Sequence, residues 1–343
     1  MELTEGVLEG NRLALARCLT QVENDTQLGR AVLDELYPHT GRAHLIGVTG
    51  APGTGKSSLV NQVARVYRQA DGEFHSSRQL PLRVAIVAVD PTSPFSGGAI
   101  LGDRVRMRDL AGDPGVFIRS MATRGSLGGL AQMTAGLVQV LDAAGYEIIL
   151  IETVGAGQAE VDIARLAHTT LVIEAPGLGD DIQAIKAGIL EIADILVINK
   201  ADRPGVEATE RALRSMLQLA HPIPRIYRHH HRIDIIEENG GSHEPPVWEP
   251  PILQTIATEG IGINDLVEMI DRHYQLLHDS GEWRQRERTR LQSELDLILQ
   301  STLVARWRST ISEQDYAEVL QNLVSREISP WQAVNDLLKG GFK

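Results

Sequence analysis

The stretch HLIGVTGAPGTGKSSLV, residues 44–60, contains the pattern that decides the fold. A short apolar run leads into a segment with three glycines, a lysine and two serines, and their spacing satisfies G-x-x-x-x-G-K-S/T. Glycines let the backbone curl so that several N–H groups point inward, and the start of a following helix adds positive potential. The stretch therefore predicts a strand, an anion-binding loop and a helix. The loop residues are Gly50, Ala51, Pro52, Gly53, Thr54, Gly55, Lys56, Ser57 and Ser58.

Two side chains of this loop can contact a bound nucleotide or its metal ion directly. The Lys56 ammonium can reach the outer phosphates of a nucleotide, and the Ser57 hydroxyl can bind Mg²⁺. The alternative is a plain glycine turn with an exposed lysine, and the pattern arises by chance in roughly one chain in a hundred of this length. A strand precedes the loop, and a helix with Val60, Val63 and Tyr67 on its apolar face follows it. We therefore predict Lys56 as a catalytic residue and Ser57 as a metal ligand.

Short, β-branched apolar runs alternate with helix-length segments from residue 44 onward. The runs are nearly continuous in apolar residues, which is typical of strands covered by helices on both faces. The repeated order predicts an α/β fold of the P-loop NTPase type, with a doubly wound, mostly parallel sheet and ligands at the carboxyl ends of its strands. The predicted strands are 44–49, 83–90, 115–120, 146–152, 169–175, 194–200 and 251–257.

Helical segments flank this core on both sides, which predicts three parts. Residues 1–40 form an N-terminal helical extension, residues 41–262 the nucleotide-binding core, and residues 263–343 a C-terminal helical region. The apolar positions at helical spacing are Leu13, Leu15, Ala16, Leu19, Val22, Leu28, Val32 and Leu36 in the first part, and Leu291, Leu295, Ile298 and Leu299 in the last.

The charge and cysteine content of the chain limit the kinds of partner it can bind. The chain has 33 Lys plus Arg against 45 Asp plus Glu, a net charge of -12, so we expect no broad electrostatic contact with nucleic acid or an anionic membrane. The single cysteine, Cys18, cannot form an intramolecular disulfide, and no signal segment or membrane span is recognisable. The expectation is a soluble, cytoplasmic protein that binds its anions locally.

The sequence NKAD, residues 199–202, predicts the base of the nucleotide. The Asp202 carboxylate can accept two hydrogen bonds from guanine, whereas adenine offers no matching donors. Charged hydrogen bonds are worth about 1.5 to 3 kcal/mol each, so this discrimination can be large. Asn199 is expected to brace the loop, and the aliphatic part of Lys200 to lie over the base. A polar helix cap is the alternative, and the upstream loop favours GTP.

Two acidic residues at strand ends complete a predicted metal site. Asp90 ends one apolar run and Glu152 ends another, directly before TVG. Carboxylates at these positions can reach Mg²⁺ directly or through water, and the Gly155 N–H can donate to the γ-phosphate. Helix capping is the alternative role for either carboxylate. We predict both as metal-site and catalytic residues.

Three longer segments carry a family resemblance: DPTSPFSGGAILGDRVRM (90–107), ETVGAGQAEVDIA (152–164) and PGLGDDIQAIKAGILEIADILVINKAD (176–202). They are similar to the MeaB, ArgK and methylmalonic aciduria type A GTPases, which are chaperones of adenosylcobalamin-dependent methylmalonyl-CoA mutase. The likeness covers roughly residues 10–275. It implies a GTPase that binds such an acyl-CoA mutase, uses GTP hydrolysis to gate cobalamin delivery, and forms a homodimer through its C-terminal arm.

The resemblance also implies roles for individual residues. Asp90 and Asp103 match the acidic residues of a first switch region and would serve the metal and catalysis, while Glu152 matches a second metal-side carboxylate. Asp180 and Lys186 match a mobile segment that relays the nucleotide state to the mutase. The segment that ends at Asp103 is rich in Gly and Ser, which suits a loop that orders around a γ-phosphate.

The chain departs from familiar patterns at several positions. Ala156 stands where Ras-like GTPases hold a water-positioning Gln, which predicts slow intrinsic hydrolysis and stimulation by the partner. The segment TIA replaces the T-S-A that relatives often use near the base, so Thr255 and Ala257 would take that role. The loop GAGQAE replaces GVGQSE without chemical loss.

Two other functions stay open at this stage. A P-loop also serves kinases that transfer a γ-phosphate to a small molecule or protein, and NKAD argues against that. The three consecutive histidines at 229–231 invite a nickel metallochaperone, but adjacent histidines in a polar loop cannot all converge on one metal, and no cysteine accompanies them.

Overall fold

Seven parallel strands form one sheet in the computed structural model, which describes residues 2–69, 78–90, 107, 109–110, 112–122, 129–153, 165–177, 191–219 and 248–341. The strands are β1 (His44–Gly50), β2 (Val84–Asp90), β3 (Val116–Ala122), β4 (Ile148–Thr153), β5 (Thr169–Glu174), β6 (Ile195–Asn199) and β7 (Ile252–Thr255). Their order across the sheet is β3-β2-β4-β1-β5-β6-β7. The predicted parallel α/β fold is confirmed.

Helices connect and extend these strands. Within the described residues they are α1 (Glu2–Leu8), α2 (Arg12–Glu23), α3 (Gln27–Leu36), α4 (Lys56–Arg68), α5 (Gly129–Ala143), α6 (Val206–Leu219), α7 (Ile263–Asp279), α8 (Glu282–Thr310), α9 (Glu313–Val324) and α10 (Pro330–Gly341). None of these helices is long and apolar enough to cross a membrane.

The central strands β1 and β4 are buried on both faces, as their nearly continuous apolar runs predict. Ile148 and Leu150 of β4 pack with α4 and α7 on one face. Ile149 and Ile151 of the same strand pack with α1, α2, α3 and α5 on the other. Since successive side chains of a strand point to opposite faces, an apolar residue is needed at every position. The two helix layers hold the carboxyl ends of the central strands in place.

The N-terminal helices contribute to this core, with two corrections to the predicted apolar face. Leu15 and Leu19 of α2 are buried, and Cys18 lies beside them in the core, where burial raises the pKa of its thiol to about 12. Leu13 and Leu28 are 60% and 53% exposed. Leu13 is two residues from Leu15, which places it on the opposite side of the helix.

The chain divides into two compact units, Met1–Arg290 and Leu291–Lys343. In the first unit, α2 and α3 pack directly against α5, so the N-terminal helices share the core of the sheet. The predicted three-part division placed boundaries at 40 and 262, both inside this unit. The second unit contains the rest of α8 with α9 and α10, and its predicted apolar positions Leu295 and Leu299 are exposed.

Candidate nucleotide-binding site

The loop after β1 has the curled backbone that its glycines predict. Gly50 has φ 138°, and a Cβ atom there would lie 2.1 Å from the carbonyl oxygen of Ile173 on β5. Gly55 has φ 94°, and a Cβ atom there would lie 2.4 Å from the Asn199 amide nitrogen. Both positions therefore exclude a side chain, because backbone or a buried amide occupies the space.

The loop surrounds the buried ammonium group of Lys56. Lys56 begins α4, and its ammonium donates hydrogen bonds to the carbonyl oxygens of Gly50 at 2.9 Å and Ala51 at 3.0 Å. The Thr54 hydroxyl donates to the same Ala51 oxygen at 3.0 Å. The positive charge thus lies within the curl of the loop and at a helix N-terminus, which together favour a bound anion.

A hydroxyl and a carboxylate meet beside this cation. The Ser57 hydroxyl, in the first turn of α4, donates to Glu152 Oε1 at 2.6 Å, and both side chains are buried. Glu152 reaches this position because β4 pairs with β1 in parallel, with Glu152 opposite Val48. Adjacent hydroxyl and carboxylate oxygens are donors that suit a hard divalent cation, so this pair fits Mg²⁺.

Asn199 connects three segments at the carboxyl end of β6. Its amide nitrogen donates to the carbonyl oxygen of Thr54 at 2.8 Å. Its amide oxygen accepts from the Thr255 hydroxyl at 3.2 Å and from the Ala257 N–H at 3.1 Å. One buried side chain thus joins the anion-binding loop to the end of β7, which is the bracing geometry that NKAD predicts.

The two other predicted base-side residues lie in the turn that follows β6. Lys200 has φ 60°, and its ammonium donates to the carbonyl oxygen of Gly53 at 2.5 Å. Its aliphatic part therefore extends from the end of β6 toward the loop. Asp202 is exposed in the same turn, where its carboxylate is accessible to a ligand.

The remaining predicted residues are described in part or not at all. Asp90 is the last residue of β2, where its backbone pairs with Ala122, so it reaches the carboxyl edge of the sheet. The following predicted residues lie outside the described part of the chain and stay predictions: Asp103, Gly155, Ala156, Asp180, Lys186, His229, His230 and His231.

Sequence reasoning missed one polar contact near the site. The Thr153 hydroxyl at the end of β4 donates to the Thr49 hydroxyl of β1 at 3.2 Å, and both residues are buried. The signal was present, because Thr49 directly precedes Gly50 and Thr153 directly follows Glu152. This contact fixes the spacing of β1 and β4 beneath Gly50 and Glu152.

The chain matches the family model for the methylmalonyl Co-A mutase-associated GTPase MeaB over residues 15–312. It belongs to the MeaB family. Escherichia coli GTPase ArgK is 35% identical over 283 residues, which cover 81% of this chain and 76% of that protein. The Caenorhabditis elegans mitochondrial methylmalonic aciduria type A homolog is 27% identical over 99% of this chain and 82% of that protein.

Two further comparisons agree with this assignment. A Pyrococcus abyssi relative assigned to the GTPases is 42% identical over 338 residues, which cover 98% of this chain and 95% of that protein. The crystal structure of an LAO/AO transport system kinase superposes with a TM-score of 0.65 at 24% identity, covers 98% of this chain and 96% of that one, and shows the shared fold. This MeaB-family chain is therefore a GTPase whose ligand is a guanine nucleotide, as NKAD predicts.

Proposed function

We propose that this MeaB-family GTPase is a nucleotide switch that associates with an adenosylcobalamin-dependent acyl-CoA mutase of the methylmalonyl-CoA mutase type. In this role it gates loading of the cobalamin cofactor and protects or reactivates the mutase. The observation that carries the proposal is the family match over residues 15–312, whose description names that mutase. A built nucleotide site on the same chain supports it, because Lys56 and Asn199 are both held by contacts to the loop.

The phosphate side of the site follows from its side-chain contacts. Lys56, already held inside the loop, is proposed to move its ammonium onto the outer phosphates and to stabilise charge that develops there. Ser57 and Glu152 would hold Mg²⁺, together with the carboxylates of Asp90 and Asp103. An ion held there would supply positive charge to offset that of the outer phosphates. Gly155 is proposed to donate its N–H to the γ-phosphate.

The base side follows from the turn after β6. We assign the Asp202 carboxylate to the guanine N–H groups, and the stem of Lys200 to the face of the base. Asn199 holds both segments together through its contacts with Thr54, Thr255 and Ala257. Because one side chain braces the loop and the base turn, the two halves of the nucleotide meet a single rigid surface.

Two finer elements concern communication with the mutase. Asp180 and Lys186 are proposed to relay the nucleotide state to the partner. Ala156 lacks the amide that positions water in other GTPases, so intrinsic hydrolysis is proposed to be slow and the partner to raise it.

A homodimer is the proposed assembly, with a second copy covering the apolar side chains of the unit Leu291–Lys343. Large apolar groups are exposed there, which is unusual for a surface that faces only water. A Leu299→Lys variant should lower the mass measured by light scattering from dimer to monomer. A parent chain that is monomeric at all concentrations would exclude this assembly. The exposed residues are Leu295, Ile298, Leu299, Leu303, Val304, Leu320, Val324, Trp331, Val334 and Leu338.

Hydrolysis measured with and without the partner tests the proposed switch. The purified chain is assayed with GTP alone, with an adenosylcobalamin-dependent acyl-CoA mutase, and with ATP as competitor, beside a Lys56→Ala control. Slow GTP turnover that the mutase raises and the variant lacks supports the switch. GTP turnover that does not respond to the mutase would exclude the mutase as the partner and leave the GTPase activity in place. Acceptor-dependent consumption of ATP would indicate a kinase instead.

A further inference from the structure

A buried network of polar side chains lies at the amino edge of the sheet, opposite the nucleotide site. Each of three adjacent strands has a polar residue at or directly before its first position: His44 at β1, His168 before β5 and Asp194 before β6. These residues are 2% exposed or less, as are Thr169 and His273, which lie among them. Buried polar groups are costly unless each has a partner, so the direction of every hydrogen bond matters here.

The hydrogen bonds determine which nitrogen of His44 carries its proton. Arg78 has only donors, and its Nη2 lies 2.8 Å from His44 Nδ1, so that nitrogen accepts. The ring proton is therefore on Nε2, which donates to the Thr169 hydroxyl oxygen at 2.7 Å. The Thr169 hydroxyl is then left to donate to His273 Nδ1 at 2.8 Å. His273 Nε2 in turn lies 3.3 Å from Asp194.

The same reasoning applies to His168. The backbone N–H of Leu45 donates to His168 Nδ1 at 3.1 Å, so this nitrogen also accepts. The proton is on Nε2, which donates to Glu287 Oε1 at 2.6 Å. In both histidines the single nitrogen lone pair is occupied by a donor. A second proton on either ring would break that hydrogen bond and place two donors face to face.

The charges around these rings disfavour a second proton as well. Burial is the main cause that lowers the pKa of His44 well below its usual value and that of His168 to about 4. Although burial opposes it, the hydrogen bonds from His168 and Arg290 lower the pKa of Glu287 to about 2. Four carboxylates near the rings are already engaged by an arginine, in the pairs Arg78–Asp271, Arg286–Asp194, Arg286–Glu282 and Arg290–Glu287. Among the described residues, the other titratable groups beside the rings are His273, Tyr274 and His278, with Asp279 next to His278.

The network also holds the first turns of α8. Arg286 donates to the carbonyl oxygen of His168 at 2.5 Å and pairs with Asp194 at 3.2 Å. Glu287 accepts from the His168 ring, and the Trp283 ring lies 3.9 Å from that of His168, centre to centre. Residues 283–290 are therefore fastened to the amino edge of the sheet through His168 and Asp194, and Trp283 also contacts the rings of Tyr274 and His278 on α7.

We propose that this network is a proton-sensitive clamp, which fastens residues 283–290 of α8 to the sheet while His44 and His168 are neutral. A proton on Nδ1 of His44 meets the N–H of Arg78, and a proton on Nδ1 of His168 meets the N–H of Leu45. Either event removes a hydrogen bond and adds positive charge beside Arg78 or Arg286. The first turns of α8 then separate from the sheet while its strands remain folded.

Two measurements on the full chain test the clamp directly. Two-bond ¹H–¹⁵N correlations of labelled histidine at pH 8 should show the Nε2–H form for His44 and His168. Hydrogen exchange, corrected for the intrinsic effect of pH, should show protection in residues 283–290 falling by about tenfold per ring for each pH unit between pH 6.5 and 4, where the opened segment binds protons that the closed network excludes. Protection in β1, β5 and β6 should persist over the same range.

Matched variants separate the clamp from general acid effects. His168→Asn keeps an acceptor for the Leu45 N–H but cannot gain a proton, so protection of residues 283–290 should become less dependent on pH. His39→Asn removes an exposed ring that lies outside the cluster and should leave that dependence unchanged. The clamp is wrong if either ring is in the Nδ1–H form, if both rings titrate near pH 6.5 without loss of protection, or if α8 and the strands lose protection together.

Discussion

The two edges of the same sheet are built from opposite chemistry. At the carboxyl edge, β1 ends in a glycine loop with left-handed backbone, and Lys56 donates to carbonyl oxygens of that loop. At the amino edge, the residues that start the strands are buried and bonded to other side chains, as His44 and Asp194 show. A ligand site needs donors that can be redirected, whereas an anchor needs donors whose partners are fixed. The nucleotide site and the buried polar network lie at opposite ends of the strands, so the length of the strands keeps them apart.

This contrast implies that a substitution at one edge should change mainly one property. A change at the carboxyl edge should lower nucleotide binding or turnover with little effect on unfolding. A change at the amino edge should lower stability with little effect on turnover. Asn199 is the exception, because it is a buried anchor located at the ligand edge.

The largest effect is expected at the carboxyl edge, for Lys56→Ala. Removing the ammonium should lower GTP turnover by roughly a hundredfold to a thousandfold, because losing one preorganised group that stabilises developing charge typically slows a reaction by that factor. The thermal midpoint should stay close to that of the parent chain. Steady-state phosphate release and a melting curve measure the two properties. Arg65→Ala, on the exposed side of α4, is the control and should match the parent in both. Parent-like turnover in Lys56→Ala would contradict the site.

At the amino edge, Arg286→Met should lower the free energy of unfolding by about 3 kcal/mol, because the buried Asp194 carboxylate loses its cationic partner. GTP turnover well below the melting temperature should be unchanged. Urea unfolding and the hydrolysis assay measure both. The exposed Arg284→Met on the same helix serves as the control. A clear fall in GTP turnover at a temperature where the variant is still folded would show that the two edges are not separate.

Acid should weaken the amino edge through His168, whose pKa is about 4 in the folded chain and near 6.5 when unfolded. Because the unfolded state binds the proton first, this contribution is complete above pH 6.5 and is lost as the pH falls toward 4. The total is about 3 kcal/mol. Urea midpoints between pH 7.5 and 4.5 should fall more steeply for the parent than for His168→Asn. Equal slopes would remove His168 from the acid sensitivity.

The smallest effect should combine both properties, for Asn199→Ala. The change removes hydrogen bonds to Thr54, Thr255 and Ala257, and should lower the free energy of unfolding by about 2 kcal/mol. GDP affinity, measured by calorimetry, should fall by about tenfold as the loop loses its brace. Gln254→Ala, exposed on β7, should change neither by a comparable amount. A variant that loses affinity alone would show that Asn199 is not an anchor.

Much of the fold and the carboxyl edge follows from the sequence alone. Seven strands were predictable because most are nearly continuous apolar runs between helix-length segments, and a parallel sheet brings the ends of such runs to one edge. The loop from Gly50 to Ser58 was predictable because a phosphate loop has fixed spacing. Glu152 and Asn199 were predictable because each lies at the end of an apolar strand of a parallel sheet. The face of α2 was predicted less well, since Leu13 fits the apolar composition but points away from the core.

Only the tertiary structure decided the partners of these residues. The contact of Ser57 with Glu152 joins positions 95 residues apart, and that of Asn199 with Thr54 joins positions 145 apart. The contacts at the amino edge depend even more on the tertiary structure. His44, His168 and Asp194 have no common spacing in the sequence and meet only when β1, β5 and β6 lie side by side. Local sequence determines the backbone geometry and the burial pattern of each segment. Strand order and register determine which polar groups share a buried space, and therefore which protons those groups can hold.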